Sequence, residues 1–453
     1  MPEPSAGPSM LELAERIAER AQPGEQVEVY VGRSHQTDVK VFDGDVESFS
    51  SADTQGVGVR VIRDGRQGFA YAASLEDDVV AETLAEARDN AGFGTVDEFL
   101  GLATPDGVEP VDLDLFRPEL ARFPTERKIE MALELERAVR AADSRIRGVE
   151  SAEYGDSVSE SAIASTGGIR TTTRRSSCSI VASAMAGEGT ETQTGTGYSV
   201  ARTPEDLDMA KAVKDAAEKA TRMLGARKPS SRRLTVFLDP PVASSFLGLL
   251  ASGLSASSVI KGRSLFAGRE DEAVAVPFLT MVDDPTEPEA WGSSRYDAEG
   301  LASRRNVLIE NGVLRGFLHN TYTGRRCGQP SNASAVRGGY RSTPGAGSRA
   351  LSVTPGDRSQ EQLLADAGDG LLVQSVTGLH SGANPVSGDF SVGVSGLMVR
   401  DGATAEPIRE ATIASTLQRM LLDLLAIGGD REWLPGGAAG MTLVIGDVQL
   451  SGS

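Results

Sequence analysis

An α+β fold in two domains is what the sequence predicts, and three observations carry the prediction. Short runs in which apolar and polar residues alternate recur through the chain, each bounded by turn formers. Gly56–Ile62, turning at Asp64-Gly65 into Gln67–Ala72, is an example. Between such runs lie segments whose apolar residues recur three and four apart, as in Thr125–Ala142, the period of a helix with one buried face. A basic stretch, Arg227–Arg233 (R-K-P-S-S-R-R), then separates two regions. Residues 1–226 form an N-terminal mixed α/β domain with an antiparallel sheet. Residues 227–453 form a C-terminal β-rich domain with flanking helices.

In order, Leu11–Ala21 reads as an amphipathic helix, and 27–31 (V-E-V-Y-V) as a strand. A separate run, Asp38–Phe42, ends in the turn Asp43-Gly44. Leu75–Ala91 and Thr125–Ala142 are helices, the second with Lys128, Glu130, Glu134 and Glu136 on its wet side. Arg145–Val200 is rich in Ser, Thr and Gly. Its recurring Ile163, Ile169, Ile180 and Val181 mark an antiparallel meander rather than a linker. A sheet that is polar on both faces is weakly held in register by its own pattern, so this meander packs on something else and is a candidate dimer surface. Thr203-Pro204-Glu205 opens a helix to about Leu224, with Thr as N-cap and Pro at the first helical position.

Beyond the linker, Leu234–Leu238 is a buried strand and Val242–Leu254 a helix apolar all round. A long loop, Lys261–Arg295, follows. The run 306–318 is a hairpin turning at Asn311-Gly312. Ser331–Arg349 reads as a flexible basic loop. Then come a helix at about 359–367, a strand at 370–376, a helix at about 409–427 and a closing strand, Met441–Ile445, with Val448 after it.

The stretch Gly378–Leu397 (G-L-H-S-G-A-N-P-V-S-G-D-F-S-V-G-V-S-G-L) stands apart. Turn formers sit among His380, Ser381, Asn384, Ser387 and Asp389, and a period-2 strand follows from Phe390. A polar loop that runs into a core strand can hold a binding site rigid. It can equally be a surface loop whose Asn and Asp satisfy their own backbone.

Composition narrows the function classes. A net charge of −19 over 453 residues excludes nucleic acid as the main ligand, because phosphate neutralisation needs clustered cations. Cys178 and Cys327 form neither a disulfide framework nor a metal pair, which fits a reducing compartment. The N-terminus lacks an apolar core for a signal peptide, no run is long enough to span a membrane, and the expectation is a cytoplasmic protein. His35, His319 and His380 give no zinc signature. No nucleophile elbow, P-loop or dinucleotide fingerprint occurs. Asp283 with Asp284, or Asp297 with Glu299, could act as a carboxylate pair, though a solvated acidic loop accounts for them as well. The basic residues of 227–233 fit an anionic ligand or, more simply, a solvated linker. No complete catalytic constellation results, so no catalytic residue is assigned.

Four stretches carry a family resemblance: F-D-G-D-V-E-S-F-S with G-V-G-V-R-V-I-R-D-G-R-Q-G-F-A-Y, Y-D-A-E-G-L with N-V-L-I-E-N-G-V-L-R-G-F-L, G-L-H-S-G-A-N-P-V-S-G-D-F-S, and S-G-L-M-V-R-D-G. The sequence resembles the TldD/PmbA family, and within it the PmbA (TldE) branch. The resemblance implies a two-domain α+β protein related to zinc metallopeptidases. In the TldD branch, a His-Glu-x-x-x-His helix after a strand and a Cys near the C-terminus hold zinc. Here those helix positions fall at about Gly248, Leu249 and Gly253, and the segment around Gly436–Met441 has no Cys. Glycine and leucine offer zinc no lone pair and water no base. No metal or other cofactor is therefore expected in this chain, zinc being expected in a TldD-type partner.

The resemblance thus implies a non-catalytic subunit of a heterodimeric peptidase acting on unfolded peptides, linked to peptide-antibiotic maturation and antitoxin breakdown. The family's older label, modulator of DNA gyrase, implies an indirect effect through such substrates. His380, Ser381, Asn384, Ser387 and Asp389 would line the shared cavity or the interface. Two other readings stay open: a homodimeric peptide-binding or scaffold protein without cleavage, and a metal-independent hydrolase using His380 and Asp389.

Overall fold

The computed structural model describes residues 9–452. Residues 1–8, on which the absence of a signal peptide was read, lie outside them. The chain divides into two compact units: up to Gly107, Asp114–Leu224 and Arg337–Thr343 in the first, and Val108–Leu113, Gly225–Val336 and Pro344 onward in the second.

Unit 1 contains α1 (Met10–Ala18), β1 (Glu25–Phe42), β2 (Asp45–Arg63), β3 (Arg66–Ala72), α2 (Asp77–Phe93), α3 (Thr125–Ala142), β4 (Ile146–Ser165), β5 (Arg170–Ala186), β6 (Gln193–Ala201) and α4 (Met209–Arg222). The strands form one antiparallel sheet in the order β3-β2-β1-β4-β5-β6. Alternation puts Val27, Val29 and Val31 of β1 with Val57, Val59 and Val61 of β2 under α1 and α2. Farther along the same sheet Val39, Tyr154, Ile180 and Ala182 lie in a core with α3 and α4. Helix α4 comes so close that a Cβ on Gly197 would stand 1.9 Å from the Ala212 carbonyl oxygen. Gly195 and Gly197 of β6 permit that approach.

Several expectations change in unit 1. The runs 27–31 and 38–42 belong to one strand of 18 residues, because the polar middle is paired across to β2. Ser34 Oγ lies 2.7 Å from Thr54 Oγ1, and His35 Nδ1 lies 2.9 Å from Asp53 Oδ1. Thr203 caps only a single 3-10 turn (Pro204–Asp206), and α4 starts afresh with Asp208 as N-cap. Lys128 and Glu136 are buried rather than on the wet side of α3. Lys128 Nζ lies 2.6 Å from Asp156 Oδ2 and donates to Thr37 Oγ1 at 2.9 Å. Glu136 accepts from the Gly44 N–H at 2.8 Å and from Arg140 at 3.0 Å. A helical period shows which side faces inward but not that charges on that side have found partners.

Unit 2 contains β7 (Arg232–Leu238), α5 (Pro240–Gly253), α6 (Ala256–Ile260), β8 (Met281–Asp283), β9 (Asn306–Glu310), β10 (Val313–Leu314), α7 (Thr321–Cys327), β11 (Ala335–Val336), β12 (Gly345–Ala346), β13 (Leu351–Val353) and α8 (Gln360–Ala367). It continues with β14 (Gly370–Thr377), α9 (Leu379–Gly382), β15 (Asp389–Arg400), β16 (Ala403–Thr416), α10 (Leu417–Leu422), β17 (Leu424–Ile427), β18 (Glu432–Trp433), β19 (Ala439–Gly440) and β20 (Leu443–Ser451). Its main sheet runs β16-β15-β14-β7-β20-β17, and β16 pairs again with β20, so five of the strands close on themselves. Closure leaves those strands no open edge over the paired stretch. Only β7 and β14 are parallel. A smaller sheet, β10-β9-β8-β13, includes the Asn311-Gly312 hairpin, whose turn residues have φ of 51° and 79°.

The helix expected at 409–427 is a correction. Residues 403–416 are β16, and only 417–422 are helical. Pro407, the β-branched Ile408, Thr412, Ile413 and Thr416, and a left-handed Glu410 (φ 53°) at an irregular register oppose a helix there. Ser331–Arg349 is not a free flexible loop. It contains β11 and β12 and sends Arg337 into a buried ion pair. No described helix is long and apolar enough to cross a membrane, which says nothing about membrane-spanning strands.

Candidate functional site

Strand β7 (R-R-L-T-V-F-L) lies between parallel β14 and antiparallel β20, so its end residues are buried on both faces. Asp239-Pro240 follows, with Pro240 at the first helical position, where its missing N–H costs nothing. Helix α5 buries Val242, Ala243, Phe246, Leu247, Leu250 and Ala251. Of the three positions at about which the family resemblance puts a metal motif, Gly248 is exposed, with open space where a Cβ would be. Leu249 packs partly buried on the core, and a Cβ on Gly253 would lie 3.3 Å from the Phe266 ring.

The segment around Gly436–Met441 folds against this helix. Ser244 Oγ donates to the Ala438 carbonyl at 2.8 Å, and a Cβ on Gly440 would stand 2.1 Å from the Pro240 carbonyl oxygen. The two segments that would have to meet around a metal do meet. Neither carries His, Cys, Asp or Glu. Among the described residues no group of three or more such side chains could hold a metal ion. The residues present do not fit zinc.

The loop from β14 to β15 brings the predicted polar residues together. His380 and Ser381 lie on α9, and Asn384, Ser387 and Asp389 follow, all exposed. Asn384 Oδ1 accepts the Val386 and Ser387 N–H groups at 2.9 and 3.3 Å. Ser387 Oγ donates to Asp389 Oδ2 at 2.7 Å, and Ser381 Oγ donates to the Gly378 carbonyl at 3.2 Å. Gln418 Nε2 holds the Ser387 carbonyl at 3.2 Å. These bonds rigidify the loop and leave the His380 imidazole on its surface. Phe390, just beyond it, packs edge-on against Phe246 of α5 with ring centroids 6.3 Å apart. The loop is therefore tied to the helix where a metal motif would be.

Three of the acidic residues in the long loops are not solvated. Asp283, Asp297 and Glu299 are at most 4% exposed. Asp283 Oδ1 accepts the N–H groups of Arg349 and Ala350 at 2.9 and 2.7 Å. Asp297 accepts three backbone N–H groups, from Glu299, Leu301 and Ala335. Glu299 Oε2 accepts both the N–H and the hydroxyl of Thr321. Burial pushes Asp283 and Asp297 above the usual carboxylate range, partly offset by Arg349 and these N–H groups. The carboxylates act as backbone caps in a region with little regular structure, and as such do not form an acid/base pair. His319 is buried and pushed towards its neutral form by that burial. Burial also pushes the Cys178 thiol up to about 12, which makes it a poor nucleophile.

A second polar centre escaped the sequence. In unit 1, Glu28 accepts from Arg60 and from Arg337, each at 2.6 Å, with all three side chains at most 6% exposed. Arg337 lies 309 residues from Glu28, and no local pattern could join them.

Comparison with known proteins matches three successive regions. Residues 27–91 match the PmbA/TldA metallopeptidase domain 1, 118–224 the central domain and 231–452 the C-terminal domain. Metalloprotease PmbA of Escherichia coli O157:H7 is 27% identical over 411 residues, covering 89% of this chain and 88% of that one. A protein named Metalloprotease from Methanothermobacter thermautotrophicus is 25% identical over 452 residues, covering 97% and 95%. A Thermotoga maritima protein proposed as a modulator of a DNA gyrase superposes with a TM-score of 0.88 at 25% identity, over 98% of this chain and all of that one. TldE from Thermococcus kodakarensis superposes with a TM-score of 0.87 at 21% identity, over 98% of this chain, and shares the fold.

Proposed function

The chain belongs to the PmbA/TldD family of metallopeptidases, and we propose that within it this protein is a cytoplasmic, non-catalytic subunit that joins a zinc-bearing TldD-type homologue to cleave unfolded peptides. One observation carries the reading. Helix α5 and the segment around residues 436–441 meet as a metal site would need, yet they present only aliphatic, glycine, serine, proline, phenylalanine and methionine positions. None of these binds zinc or activates water in the way histidine, cysteine and glutamate do. The name metalloprotease belongs to the relatives, and these two segments carry no histidine, cysteine, aspartate or glutamate.

In that role the loop His380–Asp389, stiffened by its own hydrogen bonds and tied to α5 through Phe390, supplies a preformed polar wall to the peptide or to the interface. The test is reconstitution: the purified chain, a TldD-type homologue and their mixture are each given an unfolded peptide. Cleavage by the mixture that exceeds either component supports the reading, and chelator-sensitive cleavage by this chain alone overturns it. A second reading, a peptide-binding protein that acts without cleavage, is favoured by the open edge of β2. There β3 pairs only with Val57–Arg63, leaving Asp45–Gln55 exposed for strand addition.

A further inference from the structure

Unit 1 holds a cleft of about 530 Å³, within the size range of ligand sites. Its floor is set by the sheet register. Thr54, Ser34, Ser159 and Arg175 are successive partners across β2, β1, β4 and β5, and beside them runs the row Gly56, Gly32, Ser161 and Thr173. Small side chains keep this floor low and line it with hydroxyls. Its wall is the strap Arg337–Thr343 (R-G-G-Y-R-S-T), which belongs to unit 1 although it comes from the second half of the chain.

The strap is pinned at both ends of its first four residues. Arg337 is held by Glu28 and lies 5.1 Å from the centroid of the Tyr30 ring. The Tyr340 carbonyl oxygen lies where a Cβ on Gly58 would come within 2.2 Å, and its ring does the same over Gly56 at 2.4 Å. Only glycine at those two positions lets the strap lie down. The Arg341 guanidinium covers the Tyr340 ring at 5.3 Å and donates to its hydroxyl at 3.1 Å.

Charge in the cleft is one-sided. Glu160 is engaged by Arg33 at 2.6 Å, and the lining contains no other carboxylate. Arg175 lines the floor and Arg341 the wall. Burial, with Arg202 nearby, pulls Arg175 down to about 10, so it is cationic at neutral pH but poorly hydrated. Thr54, at one margin, lies on the stretch of β2 whose outer edge takes no strand partner among the described residues. An extended chain pairing along that edge would run beside the cleft margin at Thr54.

We propose that this cleft binds an extended peptide through a carboxylate, with Arg175 and Arg341 as its donors and Tyr30 and Tyr340 against the chain. The assignment rests on the peptide-handling reading above and adds the substrate feature it selects. Guanidinium pairs suit carboxylates because their N–H groups match two oxygens at once.

The test needs no partner chain, so it can fail while reconstitution succeeds. Three fluorescein-labelled octapeptides are titrated by anisotropy: one with a central Glu and an amidated end, the Gln analogue with an amidated end, and the Gln analogue with a free end. Saturable binding of the first or third, about tenfold or more tighter than the amidated Gln peptide, supports the assignment. Which of the two binds tells side chain from C-terminus. Arg341→Ala, at an exposed position that leaves the fold intact, is expected to weaken binding about tenfold, and Arg175→Gln likewise, with the melting curve as control. Equal binding of all three peptides, no binding of any, or full affinity in R341A overturns it.

Discussion

Replacing Glu28 with Gln strips the charge that lies between two guanidiniums. Arg60 Nη2 and Arg337 Nη2 each sit 2.6 Å from its carboxylate, and the three side chains are 6%, 4% and 3% exposed. Water cannot take over such a contact. Two cations left together in a buried site cost about 3–5 kcal/mol, the range measured when one partner of a buried pair is removed. With an m-value of about 3 kcal/mol/M, the urea midpoint read by far-UV circular dichroism falls by roughly 1 M or more. Asp271→Asn is the control, because its pair with Arg315 has side chains 82% and 42% exposed. There the change stays within about 0.5 kcal/mol. The pH sign is definite. Burial alone would raise Glu28, but Arg337 and Arg60 outweigh it and hold the group below 4.5. Its stabilisation is therefore present above that value and is lost as pH falls through the depressed pKa. The variant lacks that acid limb. A Glu28→Gln protein within about 1 kcal/mol of the parent would refute the buried-pair reasoning.

Further outcomes follow from the second unit. Asn384→Ala removes the acceptor of two backbone N–H groups and lowers stability by about 1 kcal/mol, whereas His380→Ala, exposed and without a structural bond among the described contacts, stays within about 0.5 kcal/mol in the same urea titration. Gly382→Ala drives a Cβ to 2.0 Å from the Ser391 carbonyl oxygen, so limited proteolysis should cut the β14–β15 loop faster in that variant than in the parent. The proposed metal-free subunit requires that chelator leave the melting temperature of the isolated chain unchanged; a drop of several degrees would contradict it.

The strands and helices that sequence made legible are those whose side chains alternate or recur without interruption. Thr125–Ala142 has the predicted ends, and the turns at Asp64-Gly65 and Asn311-Gly312 set the registers they were expected to set. β16 was missed because residues 411–427 carry enough small and apolar residues to satisfy a helical period, Pro407 lies just before the expected helix, and the left-handed Glu410 accompanies a register shift against β15 that no sequence pattern shows. The two elements of the candidate site were legible as separate segments. The loop His380–Asp389 and the helix after β7 are adjacent through Phe246 and Phe390. What sequence could not show is pairing at a distance: Lys128 with Asp156, Asp283 with the backbone at 349–350, and Glu28 with Arg337. Charged residues look solvated until the fold supplies their partners.

Zinc content, read by atomic emission on the purified chain alongside its peptidase activity, tests the central claim most directly. The proposal requires negligible zinc and no cleavage until a TldD-type homologue is added. One tightly held zinc per chain, with cleavage of an unfolded peptide in the absence of any partner, would contradict it.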